Sequence, residues 1–264
     1  MLDDVVPFLV CPNCAGDLER EGAALRCPRG HSFDVAKQGY VALGPLAAGD
    51  TAEMVAARSA FLDKGHYAPL VDALTPYAAP GLVIDAGAGT GFYLKHVLTT
   101  GPGLALDSSK AALKRAAKAH HRIGAVACDL WRPLPVRDAC ADLVLNVFAP
   151  RNPAELRRVL RSDGLLVVAA PTADHLRELV SELDLLTVDA DKQERIDERL
   201  APHFAVHRQE TRAFTMDLDH ADIAALVGMG PNAFHTDAQR DARIAALPTK
   251  SVTASVTVTA YRPR

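Results

Sequence analysis

The stretch GLVIDAGAGTGFYLKHVL, residues 81–98, does most to limit what this chain can become. An apolar strand, Leu82–Ile84, runs into Asp85, then into glycines 87, 89 and 91, and then into an amphipathic helical segment. Strand, tight glycine-rich turn and helix in that order open a parallel α/β sheet, with ligand space at the carboxyl edge of the strands. The 264 residues, 49% of them hydrophobic, suffice for one such domain and a small accessory module.

The turn reads G-x-G-x-G after an acid, and not the G-x-G-x-x-G that cradles a pyrophosphate on a helix N-terminus. Asp85, Gly87, Gly89 and Gly91 suit S-adenosylmethionine, which has no pyrophosphate: the glycines admit the ligand close to the backbone, and the acid can anchor the methionine amino group. Further acids follow in the order this cofactor needs. Asp107, in GLALDSS and sixteen residues beyond Gly91, is placed for the ribose hydroxyls, and Asp129, after GAVACDL, for the adenine amino group. A fourth strand, ADLVLNVFAP, ends at Asn146 to Pro150, where open α/β sheets bind ligands. GLLVVAAP and, after a helical stretch, SVTASVTVTAYRP continue the sheet. The expected fold over residues 81–264 is therefore a class I S-adenosylmethionine-dependent methyltransferase, Rossmann-like with a mixed seven-stranded sheet.

Upstream lies CPNCAGDLEREGAALRCPRGH, in which Cys11, Cys14, Cys27 and His31 follow the spacing C-x2-C-x12-C-x3-H. Thiolates and an imidazole in this pattern predict a tetrahedral zinc site, with Gly30 supplying the permissive backbone of a metal knuckle. Four protein ligands leave no open position, so the metal is expected to be structural and its module to bind or position something. The module is expected over residues 1–43, with FDVAKQGYVALGPLAAG supplying a short strand and a small-residue linker. Residues 44–80 then connect the two domains through a helix capped by Thr51, with Met54, Ala57, Phe61 and Leu62 on one face and Gly65 as its stop, before His66 and Tyr67.

A net charge of −3 and a pI near 6.4 argue against a coat protein held to nucleic acid by bulk charge. A local basic face is still available, because KAALKRAAKAHHR between Lys110 and Arg122 carries five Lys or Arg and no acid. The longest apolar run, Leu165–Ala170, is far too short to cross a bilayer, and no charged and apolar leader precedes Cys11. Five cysteines, three of them in the metal pattern and Cys128 and Cys140 isolated, do not make a disulfide framework. A soluble protein of the reducing cytoplasm, with no membrane partner, is expected.

The position after the fourth strand reads NVFAPRN, without the Asp/Asn-Pro-Pro-aromatic turn of exocyclic amino methyltransferases. Neither Cys128 nor Cys140 has the neighbouring proline or threonine of a cytosine-C5 nucleophile. Taken with CPNC, CPRGH, GHSFDVAKQGYVAL, GDTAEMVAARSAFLDKGHYAPL, DAGAGTG, NVFAPRNPAELRRVLRSDG and TADHLREL, the chain resembles, end to end, the 23S rRNA guanine-N1 methyltransferases that include the tylosin-resistance enzymes of actinomycetes. The resemblance implies a zinc domain that grips an rRNA hairpin in domain II near the peptide exit tunnel, a catalytic domain that modifies a loop guanine, and cofactor contacts from Tyr67, Gly91 with Phe92, and His175. Guanine N1 lies on the Watson–Crick edge, so the base must be splayed out, and Asn146, Phe148 and Arg151 are the residues expected around it. Arg26, Arg29, Lys37 and the 110–122 segment are the expected phosphate contacts. The general base and a homodimeric state are left open. Two competing readings are a small-molecule methyltransferase with a purely stabilising zinc module, and a zinc-ribbon interaction protein that has lost activity; intact Asp85, Asp107 and Asp129 weigh against the second.

Overall fold

The computed structural model describes residues 1–44, 49–234 and 238–264, so part of the expected linker, residues 45–48, lies outside the described residues. Eleven strands are described: β1 (Glu19–Glu21), β2 (Ala24–Arg26), β3 (Ser32–Asp34), β4 (Tyr40–Ala42), β5 (Val83–Ala86), β6 (Gly103–Asp107), β7 (Ile123–Ala127), β8 (Ala141–Val147), β9 (Leu160–Pro171), β10 (Phe204–Leu218) and β11 (Lys250–Pro263). The first three form a small antiparallel sheet, and the rest form one sheet in the order β10-β11-β9-β8-β5-β6-β7-β4. From β9 to β4 the pairings are parallel, and β11 is antiparallel to both β9 and β10.

The sheet has eight strands where seven were expected, and the difference comes from the N-terminal segment. Tyr40–Ala42 adds in parallel to β7, with Tyr40 opposite Ala125 and Leu43 N–H donating to the Ala127 carbonyl. The long edge strand β10 escaped the sequence reading because FAVHRQETRAFTMDL is largely exposed and lacks a clean apolar alternation. Its partner β11 reads as a strand from one end to the other and supplies the template.

Each face of the sheet buries its own apolar layer. One is covered by the helices Ala52–Asp63, Ala68–Leu74, Phe92–Val97, Lys110–Ala119, Arg177–Leu183 and His220–Gly228. The other is covered by Pro153–Val159, Lys192–Leu200 and the N-terminal module, whose Leu9, Leu18 and Leu25 belong to the same apolar cluster as Val126, Leu134 and Val136. The chain runs outward through β5, β6 and β7, then returns to lay β8 on the other flank of β5. That reversal opens a crevice at the carboxyl ends of β5 and β8. The helix expected after Thr51 spans Ala52–Asp63, and Thr51 Oγ1 caps it by accepting from Met54 N–H at 3.3 Å.

Candidate functional site

Two knuckles bring the N-terminal ligands together. Cys11 N–H donates to the Gly16 carbonyl at 2.8 Å and Ala15 N–H to the Cys11 carbonyl, while Cys27 N–H donates to the His31 carbonyl and Gly30 N–H to that of Cys27. Gly30 has φ +85° with open space where a Cβ would stand, the conformation its sequence position called for. The four ligand atoms lie within 4.8 Å of one another: Cys11 Sγ is 3.5 Å and Cys27 Sγ 3.2 Å from His31 Nδ1, and Cys14 Sγ is 3.6 Å from Cys27 Sγ. Zn–S bonds of about 2.3 Å at tetrahedral angles imply sulfur separations of roughly 3.8 Å, so the set fits zinc. Burial pushes the Cys27 thiol up, but hydrogen bonds with the His31 backbone and ring, the Arg29 backbone and the Cys14 thiol outweigh it and bring it down to about 6, toward the thiolate a metal needs.

The glycine loop is built to receive a ligand at its acidic end. Asp85 is buried, and neither carboxylate oxygen has a hydrogen-bond partner among the described residues. Burial, with the Asp107 charge second, raises it to about 8. A carboxylate isolated in this way is costly unless a cation or donors arrive to satisfy it. Asp107 is differently placed: its two oxygens accept the backbone N–H groups of Gly89 and Ser109, each at 2.8 Å, which locks the loop to the end of β6 and leaves lone pairs for further donors. A Cβ on Gly87 would overlap that of Ala149, so this glycine sets the close approach of the loop to the turn after β8. Gly91, at φ +76°, begins the helix Phe92–Val97 and packs against Ala116 and Ala119 of the next helix, a packing role beside the ligand role expected for it. Asp129 Oδ1 accepts Trp131 N–H at 2.9 Å.

On the other side of the crevice stands an aromatic wall. Tyr67, fully buried, lies 6.1 Å from Phe148, 6.5 Å from His175 and 6.0 Å from Phe214 between ring centroids, and His175 is 6.0 Å from Phe148. His175 Nδ1 accepts Ser255 N–H at 3.2 Å, which puts its proton on Nε2, 3.4 Å from the Tyr67 hydroxyl. Burial lowers His175 to about 4, so the ring is neutral. Phe148 is 40% exposed and holds φ +52°, a left-handed conformation that a bulky residue keeps only when the surroundings impose it.

The three residues expected around the substrate divide. Phe148 faces the crevice, whereas Asn146 is wholly buried and organises the turn beneath it: its amide donates to the carbonyls of Ala86 at 2.9 Å and Pro150 at 2.8 Å, and its oxygen accepts Arg151 Nε at 2.9 Å. Arg151 also reaches the Ala149 carbonyl. Asn146 therefore ties β5 to the turn, and no amide hydrogen is left for a base. Sequence reasoning missed Arg58, which packs against Gly89, pairs with Asp50 and donates to the Met229 carbonyl. Its charge also bears on Asp107. It lies inside the AEMVAARSAFLDKG phrase, where nothing distinguishes it from a solvated helix residue.

Comparison with known proteins then decides the family. A zinc-ribbon model described as "RlmA, N-terminal" matches residues 9–48, and a "Methyltransferase domain" model matches residues 84–168. The 23S rRNA (guanine(748)-N(1))-methyltransferase of Streptomyces fradiae is 49% identical over 278 aligned positions, covering 100% of this chain and 99% of the relative. The chain belongs to the 23S rRNA (guanine-N1)-methyltransferase family. A relative from Micromonospora griseorubida, bearing the same family name, is also 49% identical over 100% of both chains. Among solved structures, YcgJ of Bacillus subtilis (TM-score 0.53, 14% identity, 76% of this chain and 99% of that one) and the methyltransferase crystallised with the Haloferax volcanii Trm112 activator (TM-score 0.54, 16% identity, 82% and 98%) share the fold. As a member of this family the chain is an rRNA (guanine-N1)-methyltransferase that uses S-adenosylmethionine and carries a structural zinc; the unpartnered Asp85 and the close ligand set in the zinc module fit both groups.

Proposed function

We propose that this protein methylates N1 of a guanine held in a hairpin loop of 23S rRNA domain II, near the peptide exit tunnel, and that the modification confers tylosin-type macrolide resistance. Residues 1–43 act as the RNA-recognition module, 44–80 as the connecting segment and 81–264 as the catalytic domain. The full-length 49% identity to the Streptomyces fradiae enzyme carries the reading. No helix among the described residues is long and apolar enough to cross a membrane, in keeping with the cytoplasmic work this reading requires.

S-adenosylmethionine supplies a sulfonium methyl for in-line displacement, and the protein's part is to hold donor and acceptor in line. Asp85 and Arg58 take the charged methionyl end, Asp107 the ribose and Asp129 the adenine, with Gly87, Gly89 and Gly91 giving room and Phe92 flanking them. Tyr67 and His175 close the cofactor side of the aromatic wall, and His175 acts there as a neutral, fixed donor. Phe148 offers its exposed face to the splayed guanine, and Arg151, held by Asn146, steadies the turn that carries it. Lys37 lies on the turn whose Gly39 sits against Ala117, so Lys37 and the cations of the basic helix Lys110–Ala119 meet phosphates together at this edge of the sheet, and Arg26 and Arg29 meet them on the module itself. A second chain is not needed for any of these contacts.

The reading is tested by transfer of labelled methyl to total rRNA followed by primer extension. Methylation at N1 blocks pairing, so a single reverse-transcriptase stop in domain II of 23S rRNA is expected. Label that goes only to small molecules, or a stop in another domain, rejects it. Expression in a tylosin-sensitive host tests the resistance.

A further inference from the structure

The segment from Asp129 to Cys140 touches the cofactor loop, the turn after β8 and the zinc module. At its start, Leu130 lies against Gly87 of the cofactor loop, with Cδ1 3.6 Å from where a Cβ on that glycine would stand. In its middle, Asn152 Nδ2 from the turn after β8 donates to the Trp131 carbonyl at 3.3 Å. Further along it holds the zinc module: Val10 N–H donates to the Pro135 carbonyl at 3.1 Å, Leu9 bridges Val136, and Arg137 reaches the Pro7 carbonyl at 2.7 Å and Asp17 at 2.6 Å.

On this segment stands Trp131, 60% exposed. Of the exposed large hydrophobic side chains among the described residues only Trp131 and Phe148 are aromatic, and both lie at the carboxyl edge of the sheet. The ring contributes little to the core, yet its backbone is held on both sides, by Asp129 through the N–H and by Asn152 through the carbonyl. A large π face on a fixed stalk loses little conformational freedom when something stacks on it. Next to it in sequence, Arg132 has its side chain 65% exposed and its Nε 3.5 Å from Asp129 Oδ2.

We infer that Trp131 is a stacking platform for an unpaired RNA base next to the target guanine, spanning the gap between the zinc module and the catalytic crevice. The inference rests on the rRNA reading given above and names how the loop is held. Every base has a π face, so the ring grips without reading sequence, and Arg132 meets the neighbouring phosphate. The base so held is the one that would otherwise stack back on the guanine and close the loop.

Trp131 is the one tryptophan of the chain, so its emission reports on this contact directly. The test uses the full-length zinc-loaded protein and a deproteinised transcript of 23S rRNA domain II. Titration is expected to quench the tryptophan emission at saturation; Trp131→Ala is expected to weaken transcript affinity roughly ten- to hundredfold, the range of one base stack, and Trp131→Phe to recover most of it. Zinc content and cofactor affinity, measured on the same samples, stay at wild-type levels because only an exposed ring is removed. Emission unmoved by the transcript, or wild-type affinity in Trp131→Ala, overturns the inference while leaving the methylation reading intact. Wild-type protein that gives no N1 stop on 23S rRNA removes the methylation reading and this inference together.

Discussion

At the scale of single residues the decisive group is Asp85, a carboxylate with no hydrogen-bond partner among the described residues, raised by burial to about 8. The unfolded chain ionises it near 4, so between about 4 and 8 the native state holds the extra proton, and the stability of the cofactor-free protein falls as pH rises through that window. Asp85→Asn removes the cost of ionising the site. Its melting temperature without cofactor is therefore expected to exceed wild type by several degrees at pH 8.5 and to match it closely near pH 5, by scanning calorimetry at both pH values. Equal melting curves at pH 8.5 would deny the buried, unpartnered state. Binding a ligand ammonium inverts the preference, so proton release on cofactor binding at pH 6.5, read by calorimetry in buffers of differing ionisation enthalpy, should vanish in the same variant. The four zinc ligands were legible in the sequence because the local turns of the two knuckles fix their spacing, and the acids 85, 107 and 129 stand at or just beyond the carboxyl ends of β5, β6 and β7, where the order of strands places them. Asn146 was misplaced because its partners, the Ala86 and Pro150 carbonyls and Arg151, are set by strand register and by the path of a turn.

At the scale of elements, Arg158 of the helix Pro153–Val159 pins the 129–140 segment. Its guanidinium donates to the carbonyls of Val136 at 2.7 Å and Leu134 at 2.9 Å and pairs with Asp138 and Glu155, each at 2.6 Å; Glu155 in turn accepts Leu134 N–H at 2.7 Å. Charged hydrogen bonds of this kind contribute about 1.5–3 kcal/mol each when a partner is left unsatisfied, discounted for the exposed Asp138. Arg158→Ala is expected to lower stability by roughly 2–4 kcal/mol in urea denaturation and Arg158→Lys, which lacks the planar fork, by about half as much. A loss below about 0.5 kcal/mol in both would show that the segment is held by its apolar contacts alone. This bridge was illegible in the sequence: NPAELRRVL reads as an amphipathic helix, and only the tertiary approach of residues 134–138 turns one of its arginines into a clamp. The strands β5 to β9 were legible from their apolar runs, and β11 from the alternation of apolar residues with Ser and Thr along it. Exposed β10, and β4, whose three residues join the main sheet far from their neighbours in sequence, needed the structure.

At the scale of the whole molecule, the sequence suggests two separable domains, and the packing argues for a shared core. Leu9 and Leu25 are fully buried in the same cluster as Val126, Leu134 and Val136. Exposing the last three would cost about 1.5–3 kcal/mol each, a large share of the 5–15 kcal/mol that holds a typical domain together. A protein beginning at Gly49 would therefore confuse lost recognition with lost folding, and removing the metal in the full-length chain is the cleaner test. In Cys14→Ala the tetrahedral set is incomplete, and less than half an equivalent of zinc is expected on metal analysis. Amide exchange should then rise across residues 11–31 and also in residues 134–137, because Val10, Pro7 and Asp17 no longer hold Pro135 and Arg137 in place, while β8 and β9 stay protected. Methyl transfer to rRNA should fall at least tenfold. Loss of protection confined to 11–31 together with a wild-type rate of rRNA methylation would reduce the zinc module to a stabilising appendage; faster exchange reaching the 134–137 segment, with methylation lost, would make the metal the part that holds the RNA grip in register with the crevice.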